Sequence, residues 1–417
     1  MRILWISPNG GNYKQNPLRG TGGWIGALQH ELTKRDNVEL GIAFLHDSDD
    51  EDLSCDNTTY FPICTHTKNN KLLKFIHSCI KNKDAELKKN TERLLQAVHS
   101  FRPDIVHLWG IENDYAEIIP YMQDKYKMVV HIQGLTSLYI SSYLPPFVSL
   151  STIGEIDSIK NLIARQTQKN DFLSFLNRAK REIKYAPLVK YWIGRTDWDK
   201  KASEMLSPGS KYFHCDELMR RDFIGYQWQY HYDGTTIHIH SSISPCWYKG
   251  IDVVFKTAHV LKMKGVKVTW KLFGIEENNP IARFFMKLYK LSNEDLGISF
   301  CGFANAETIR NSLLECDMYI HPSYIENSSN AIAEAMMLGV PTIAQYVGGN
   351  PSMLKDNSGV LVAPNEPYMM AYEIIKMRNK EWAEGYSERA LKFSLARQNG
   401  DKVVNSLIDI YTEIISD

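Results

Sequence analysis

The sequence predicts an α/β protein of two Rossmann-like domains, each a parallel sheet covered by helices, facing one another across a cleft. Three observations carry this expectation. The chain has 417 residues, too many for one ordinary core, and at 44% hydrophobic it can fill two. Short apolar runs ending in polar, Gly-containing loops alternate with stretches of helical periodicity, the pattern of strands buried on both faces. The alternation restarts after YQWQYHYDGTT (226–236), whose Asp-Gly turn marks a junction. The predicted boundaries are 1–234, 235–398 and a last helix at 399–417 that can pack on either domain, the amino-terminal one included.

In the first unit, Ile3 to Ile6 read as a strand, a Gly- and Asn-rich loop follows, and GGWIGALQHEL places Ile25, Leu28 and Leu32 at helical spacing. VELGIAFLH, PDIVHLWG and KMVVHIQG are strands, 155–185 is helical, and VKYWIGRT and SKYFHC are strands again, with the strand TTIHIHSS following at the junction. In the second unit, IDVVFKTAHVLKMKG is a helix, VTWKLFG and ISFCGF are strands, AETIRNSLLEC is a helix, and MYIHPS, PTIAQ and GVLVAP are strands. Ligands of open α/β sheets sit at the carboxyl ends of such strands.

Lys plus Arg and Asp plus Glu number 48 each, so no overall field draws nucleic acid. The cysteines at 55, 64, 79, 215, 246, 301 and 316 form no C-x-x-C pair, which points to reduced thiols in a cytoplasmic protein. MRILWIS lacks a signal-peptide core, and no run approaches the roughly 18 apolar residues of a membrane span.

The chemistry concentrates in HPSYIENSSNAIAEAMMLGVP (321–341). Asn327, Ser328 and Ser329 are N-cap candidates, NAIAEAMML is a helix, and Gly339 and Pro341 stop it. Glu326 therefore precedes the helix and Glu334 lies within it. The first-turn amides around Ser329, Asn330 and Ala331 make an anion site suited to a diphosphate. Glu334 can then accept from ribose hydroxyls and Glu326 from a sugar on the far phosphate. Spacing alone describes a solvated loop acid and a surface helix acid equally well. Three other segments weigh against that: Gly348 and Gly349 in QYVGGNPSML, Lys249 in WYKGID, and Gly22 and Gly23 opening the first helix.

Together, GGWIGALQHEL, PDIVHLWG, VVHIQG, KGID, HPSYIENSSNAIAEAMMLGVP, VGGNPSMLKDNSGVLV and IDIYTEI resemble the retaining glycosyltransferases of the GT-B fold, in particular the large family four that builds bacterial polysaccharides. The resemblance implies a carboxyl-terminal domain holding a nucleoside diphosphate sugar, a UDP-sugar above all. The amino-terminal domain would hold a glycan or lipid-linked acceptor, and neither metal nor other cofactor would be needed. Lys249, the amides of Gly22 and Gly23 and the helix after Glu326 would stabilise the leaving diphosphate. Glu326 would position the donor sugar and Glu334 the ribose.

Two departures from the family pattern stand out. The Arg usual a few residues before the Lys is replaced by Ser242 or Ser244 in SSISPCWYKG, so Lys249, or a distant Arg195, carries more of the expected anion binding. Where many relatives have His, VVHIQGL aligns Gln133, with His131 on the other face by strand alternation. Gln133 can hydrogen-bond a substrate but cannot take a proton, which suits a same-face substitution in which the acceptor proton leaves with the donor phosphate. Glu326, Lys249 and Gln133 are thus the candidate catalytic residues, and Gln133, Tyr139, Tyr143 and Arg195 the acceptor-side set. Core packing accounts for the two tyrosines equally well.

Asp47, Ser48 and Asp49 form a D-x-D, read as a solvated acidic run rather than a metal site. GTGGWIG misses the dinucleotide spacing. Residues 71–89 mix lysines with apolar residues, either an ordinary surface helix or a peripheral membrane contact at the inner face of the membrane. The alternatives in function are a nucleotide-sugar epimerase or hydrolase of the same fold and an inactive partner subunit.

Overall fold

The computed structural model describes residues 1–13, 23–46, 52–55, 57–64, 83–123, 125–156 and 167–417. Gly22, the acidic run at 47–49 and residues 71–82 of the basic segment lie outside the described residues.

The first sheet contains β1 (Arg2–Ser7), β2 (Glu39–His46), β3 (Leu53–Cys55), β4 (Thr58–Cys64), β5 (Ile105–Trp109), β6 (Met128–His131), β7 (Tyr191–Gly194) and β8 (Lys211–His214). Their order is β3-β4-β2-β1-β5-β6-β7-β8. β5 and β6 are buried throughout, as continuous apolar runs in a parallel sheet with covered faces should be. The β3–β4 edge pairing is antiparallel, unlike the expected parallel arrangement. Its LSC sequence is exposed along its whole length, so neither an apolar run nor alternation marks it.

The second sheet contains β9 (Thr236–Ser242), β10 (Lys267–Phe273), β11 (Ile298–Gly302), β12 (Met318–His321), β13 (Thr342–Gln345) and β14 (Val360–Val362). The order β11-β10-β9-β12-β13-β14 is parallel at every pairing. From β9 the chain goes first to β10 on one side, and β12 later takes the other side. That reversal opens a crevice at the carboxyl ends of β9 and β12, which end at Ser242 and His321.

The chain passes between the units after β8. Trp228 N donates to Leu338 O and Trp228 Nε1 to Cys316 O, both at 2.7 Å, so the crossing segment already lies on the second unit before β9 begins. The chain returns after helix Lys380–Arg397. Asn399 caps the next helix, Gly400–Ser416, by accepting from Lys402 N. Val403, Val404, Leu407, Ile410, Tyr411 and Ile414 form one helical stripe packed among Ile3, Trp5, Trp24 and Trp109 of the first unit. The Tyr411 hydroxyl meets His107 Nδ1 and accepts from Trp5 Nε1 at 3.2 Å. Burial pushes the His107 imidazolium down to about 3, so this contact is between neutral groups.

Among the described residues no helix is long and apolar enough to cross a membrane. Residues 83–89 begin helix Lys83–Phe101. Cys55, Cys215, Cys246, Cys301 and Cys316 are free thiols.

The returning helix should hold the first unit together. Tyr411→Ala is expected to cost about 3–5 kcal/mol in urea unfolding, whereas Tyr411→Phe, which keeps the ring but leaves Trp5 Nε1 and His107 Nδ1 unpaired, should cost about 1–3 kcal/mol.

Candidate active site

At the crevice, the loops after β9 and β12 line a cleft of about 480 Å³. Its floor includes Ser242, Ser244, Lys249, His321 and Glu326, its far side Ser329, Asn330, Ala331 and Glu334, and its opposite wall Gly23, Trp24 and Arg220. Five of the predicted donor-side residues from the second unit therefore converge with Lys249, and Gly23 faces them from the first.

Backbone contacts fix the acidic loop. Gly250 has φ +73°, and a Cβ there would stand 1.8 Å from Pro322 O. A Cβ at Gly348 would stand 1.8 Å from Glu326 O, and one at Gly349 1.7 Å from Asn327 O. Gly349 N donates to Glu326 O at 2.9 Å. These glycines let three loops touch backbone to backbone, which any side chain would prevent. Gly348 and Gly349 thus brace the loop that carries Glu326. Helix Asn330–Met337 starts immediately beyond, with Ser329 Oγ accepting from Ile332 N at 3.4 Å.

The two carboxylates are held in different states. Burial would raise the pKa of Glu326, but Lys249 Nζ donates to its Oε1 and His321 Nε2 lies 3.1 Å from the same atom, and together they hold it at about 2. The other ring nitrogen of His321 meets Tyr319 OH at 2.9 Å, which orients the imidazole. At Glu334 burial prevails and lifts the pKa to about 7, with Arg220 opposing and Asp222 adding to the rise. Arg220 Nε and Nη2 both reach Glu334 Oε1, at 2.8 and 2.7 Å.

The acceptor-side expectations fare differently. Gln133 lies half-buried beyond β6, its amide donating to His131 O at 3.3 Å, and it does not line the cleft. His131 is buried against Trp24 and Trp109. Tyr139 and Tyr143 do not offer an open ring face for a sugar, because both are buried: Tyr139 packs on Trp198 and Tyr248, Tyr143 on Phe172, Phe175 and Tyr248. Arg195 is also buried and does not line this cleft. Its guanidinium covers the Trp24 ring at 4.9 Å and donates to Ile132 O at 3.1 Å.

Arg195 instead supports the acidic loop from the first unit. With its amide oriented to satisfy both ends, Asn327 donates to Asp199 Oδ2 (3.1 Å) and accepts from Arg195 Nη2 (3.2 Å). The next residue, Ser328, donates to Glu217 Oε1 at 3.2 Å, and Arg397 donates to Glu217 Oε2 at 3.0 Å. Although Glu217 is fully buried, Arg397 and Arg195 hold its carboxyl at about 2. Among the described residues no three His, Cys, Asp or Glu side chains gather as a metal-holding group.

Sequence reasoning missed His321, Arg220, Glu217 and Arg397. His321 had a local signal, as the last residue of a strand leading into the acidic loop. The other three meet their partners only through the tertiary fold.

Comparison with known proteins bears out the resemblance and the fold. Residues 234–380 match the family model of glycosyl transferases group 1. WcaL of Escherichia coli, which carries the name of a colanic acid biosynthesis glycosyltransferase, is 27% identical over 30% of this chain and 32% of its own length. The match thus spans about a third of that relative. Sucrose-phosphate synthase of Thermosynechococcus elongatus superposes with a TM-score of 0.71 at 14% identity, over 100% of this chain and 99% of that one. HepE of Anabaena, solved in complex with UDP-glucose, superposes with a TM-score of 0.63 at 13% identity, over 99% of this chain and 100% of that one. The architecture is GT-B.

The raised Glu334 carboxyl gives a pH signature. Its folded-state pKa of about 7 exceeds the ordinary 4.5, so its contribution to stability is fully present below 4.5 and is lost as pH rises through 7. Across that window the melting temperature of the wild type should fall relative to Glu334→Gln, which lacks the titration, as scanning calorimetry would measure.

Proposed function

We propose that this protein is a retaining glycosyltransferase of polysaccharide synthesis that moves a sugar from a nucleoside diphosphate sugar to a glycan or lipid-linked acceptor. The observation that carries the reading is the pairing, at the switch point of the second sheet, of an always-ionised Glu326 on Lys249 with a second carboxylate, Glu334, one helix start away.

In this reading the diphosphate lies at the amino end of helix Asn330–Met337, beside Lys249. Glu334 accepts from the ribose and Glu326 from the sugar hydroxyls. The bond between the anomeric carbon and the phosphate oxygen breaks, and that oxygen gains negative charge, which Lys249 and the helix amides stabilise. The acceptor oxygen bonds to the anomeric carbon on the face the phosphate leaves, and its proton passes to the departing phosphate oxygen. No protein base is required, which fits the position of Gln133 away from the cleft. The reading calls on protein groups for this charge and includes no metal.

UDP is the preferred carrier because HepE, of the same fold, binds UDP-glucose. The acceptor enters from the first unit. A cytoplasmic site of action, and a peripheral membrane contact through 71–89, accompany the reading as its cellular setting.

A thermal-shift panel of UDP-, GDP- and ADP-sugars should single out one carrier. With that donor, Glu326→Gln is expected to lower kcat about 10²-fold while melting within about 5 °C of wild type. Unchanged turnover would remove Glu326 from the mechanism. Sugar release at equal rate without acceptor would identify a hydrolase instead.

A further inference from the structure

A leaving diphosphate carries more charge than one lysine balances, and the loop after β9 offers Ser242 and Ser244 where a second cation would be expected. The crossing segment brings one from elsewhere. Arg220 follows Met219, whose amide is fixed on Gln398 Oε1 at 2.7 Å. Its stem runs along the start of the first unit's helix, close enough that a Cβ on Gly23 would stand 3.4 Å from Arg220 Cδ. Its guanidinium lies 5.1 Å from the centre of the Phe223 ring and ends on Glu334.

Three details distinguish this from a static brace. Both contacting nitrogens of Arg220 share the single oxygen Oε1 of Glu334, so the pair is not the two-oxygen fork of a strong structural salt bridge. The Arg220 side chain is 24% exposed and lines the cleft, whereas its partner is 9% exposed. The cleft it lines also holds Gly23, Ser329 and Asn330, groups that the donor-site reading gives to the diphosphate.

We propose that Arg220 is the second cation of the donor site: it covers Glu334 while the site is empty, yields that carboxylate to the ribose hydroxyls when donor binds, and turns its guanidinium onto the diphosphate. This rests on the glycosyltransferase reading and deepens it. The exchange makes binding selective for the charged diphosphate, because a nucleoside alone must displace Arg220 from Glu334 without giving it a new anion. Arg220 therefore acts on the ratio of diphosphate to nucleoside affinity, which a merely structural arginine would leave unchanged.

The test is calorimetric binding of UDP and uridine, and of the GDP and ADP pairs, to wild type, Arg220→Lys and Arg220→Met, with melting curves to establish that each variant is folded. Wild type should favour the diphosphate over its nucleoside. Arg220→Met should lose at least tenfold of that preference, chiefly through weaker diphosphate binding, and Arg220→Lys should keep part of it. A ratio unchanged in Arg220→Met, with wild type binding the diphosphate, overturns the role of Arg220 and leaves the glycosyltransferase reading standing. Failure of wild type to bind any of the three diphosphates overturns both. If Arg220→Met does not fold, the Arg220→Lys ratio decides: a reduced preference for the diphosphate supports the role of Arg220, and a preference equal to wild type overturns it.

Discussion

The site depends on holding one carboxylate charged inside a wall of the protein. Burying an ion costs several kcal/mol, and a charge-assisted hydrogen bond contributes about 1.5–3 kcal/mol, so Glu326 needs more than one partner. It has Lys249 and His321, and His321 is oriented by Tyr319. These three residues come from β12 and from the loop after β9, strands that are neighbours in the second sheet. The strand order that opens the crevice thus also delivers the cation and imidazole that let an anion stand in it.

The same requirement explains the glycines. A carboxylate can be paired this closely only if its loop does not move, and here the loop is gripped along its backbone by Gly250 on one side and Gly348 and Gly349 on the other. Asn327 and Ser328 extend the grip to Arg195, Asp199 and Glu217. Consecutive residues of one loop therefore serve different ends. Glu326 points its carboxylate into the cleft, while Asn327 and Ser328 anchor it to buried charges behind.

Local patterns made much of this legible. Apolar runs with polar ends located nearly all the strands, and Ser329 before NAIAEAMM located the helix start, because strand burial and capping are decided within a few residues. Lys249 and the two glutamates also showed in short segments. What stayed hidden depends on distant pairing. Nothing in HCDELMRRDF announces that Glu217 meets Arg397, or that Arg220 meets Glu334, more than 100 residues away. Tyr139 and Tyr143 show the converse limit. An aromatic beside a cleft strand packs inward or faces a ligand according to neighbours such as Tyr248 that local sequence does not reveal.

The place of Arg220 follows from how the two units are joined. The chain passes from the first unit to the second just after Glu217 and returns just after Arg397, and the two crossings are tied by Met219 N on Gln398 Oε1 and by the Glu217–Arg397 pair. The two crossings are thus held together at one place between the units. Arg220 is one residue beyond the tie, and its side chain lies between Gly23 of the first unit and Glu334 of the second. A side chain rooted at the crossing is therefore within reach of both walls of the cleft. In the donor-site reading a cation on the β9 loop would have to share the floor with Lys249, whereas one rooted at the crossing comes to the cleft from its other wall.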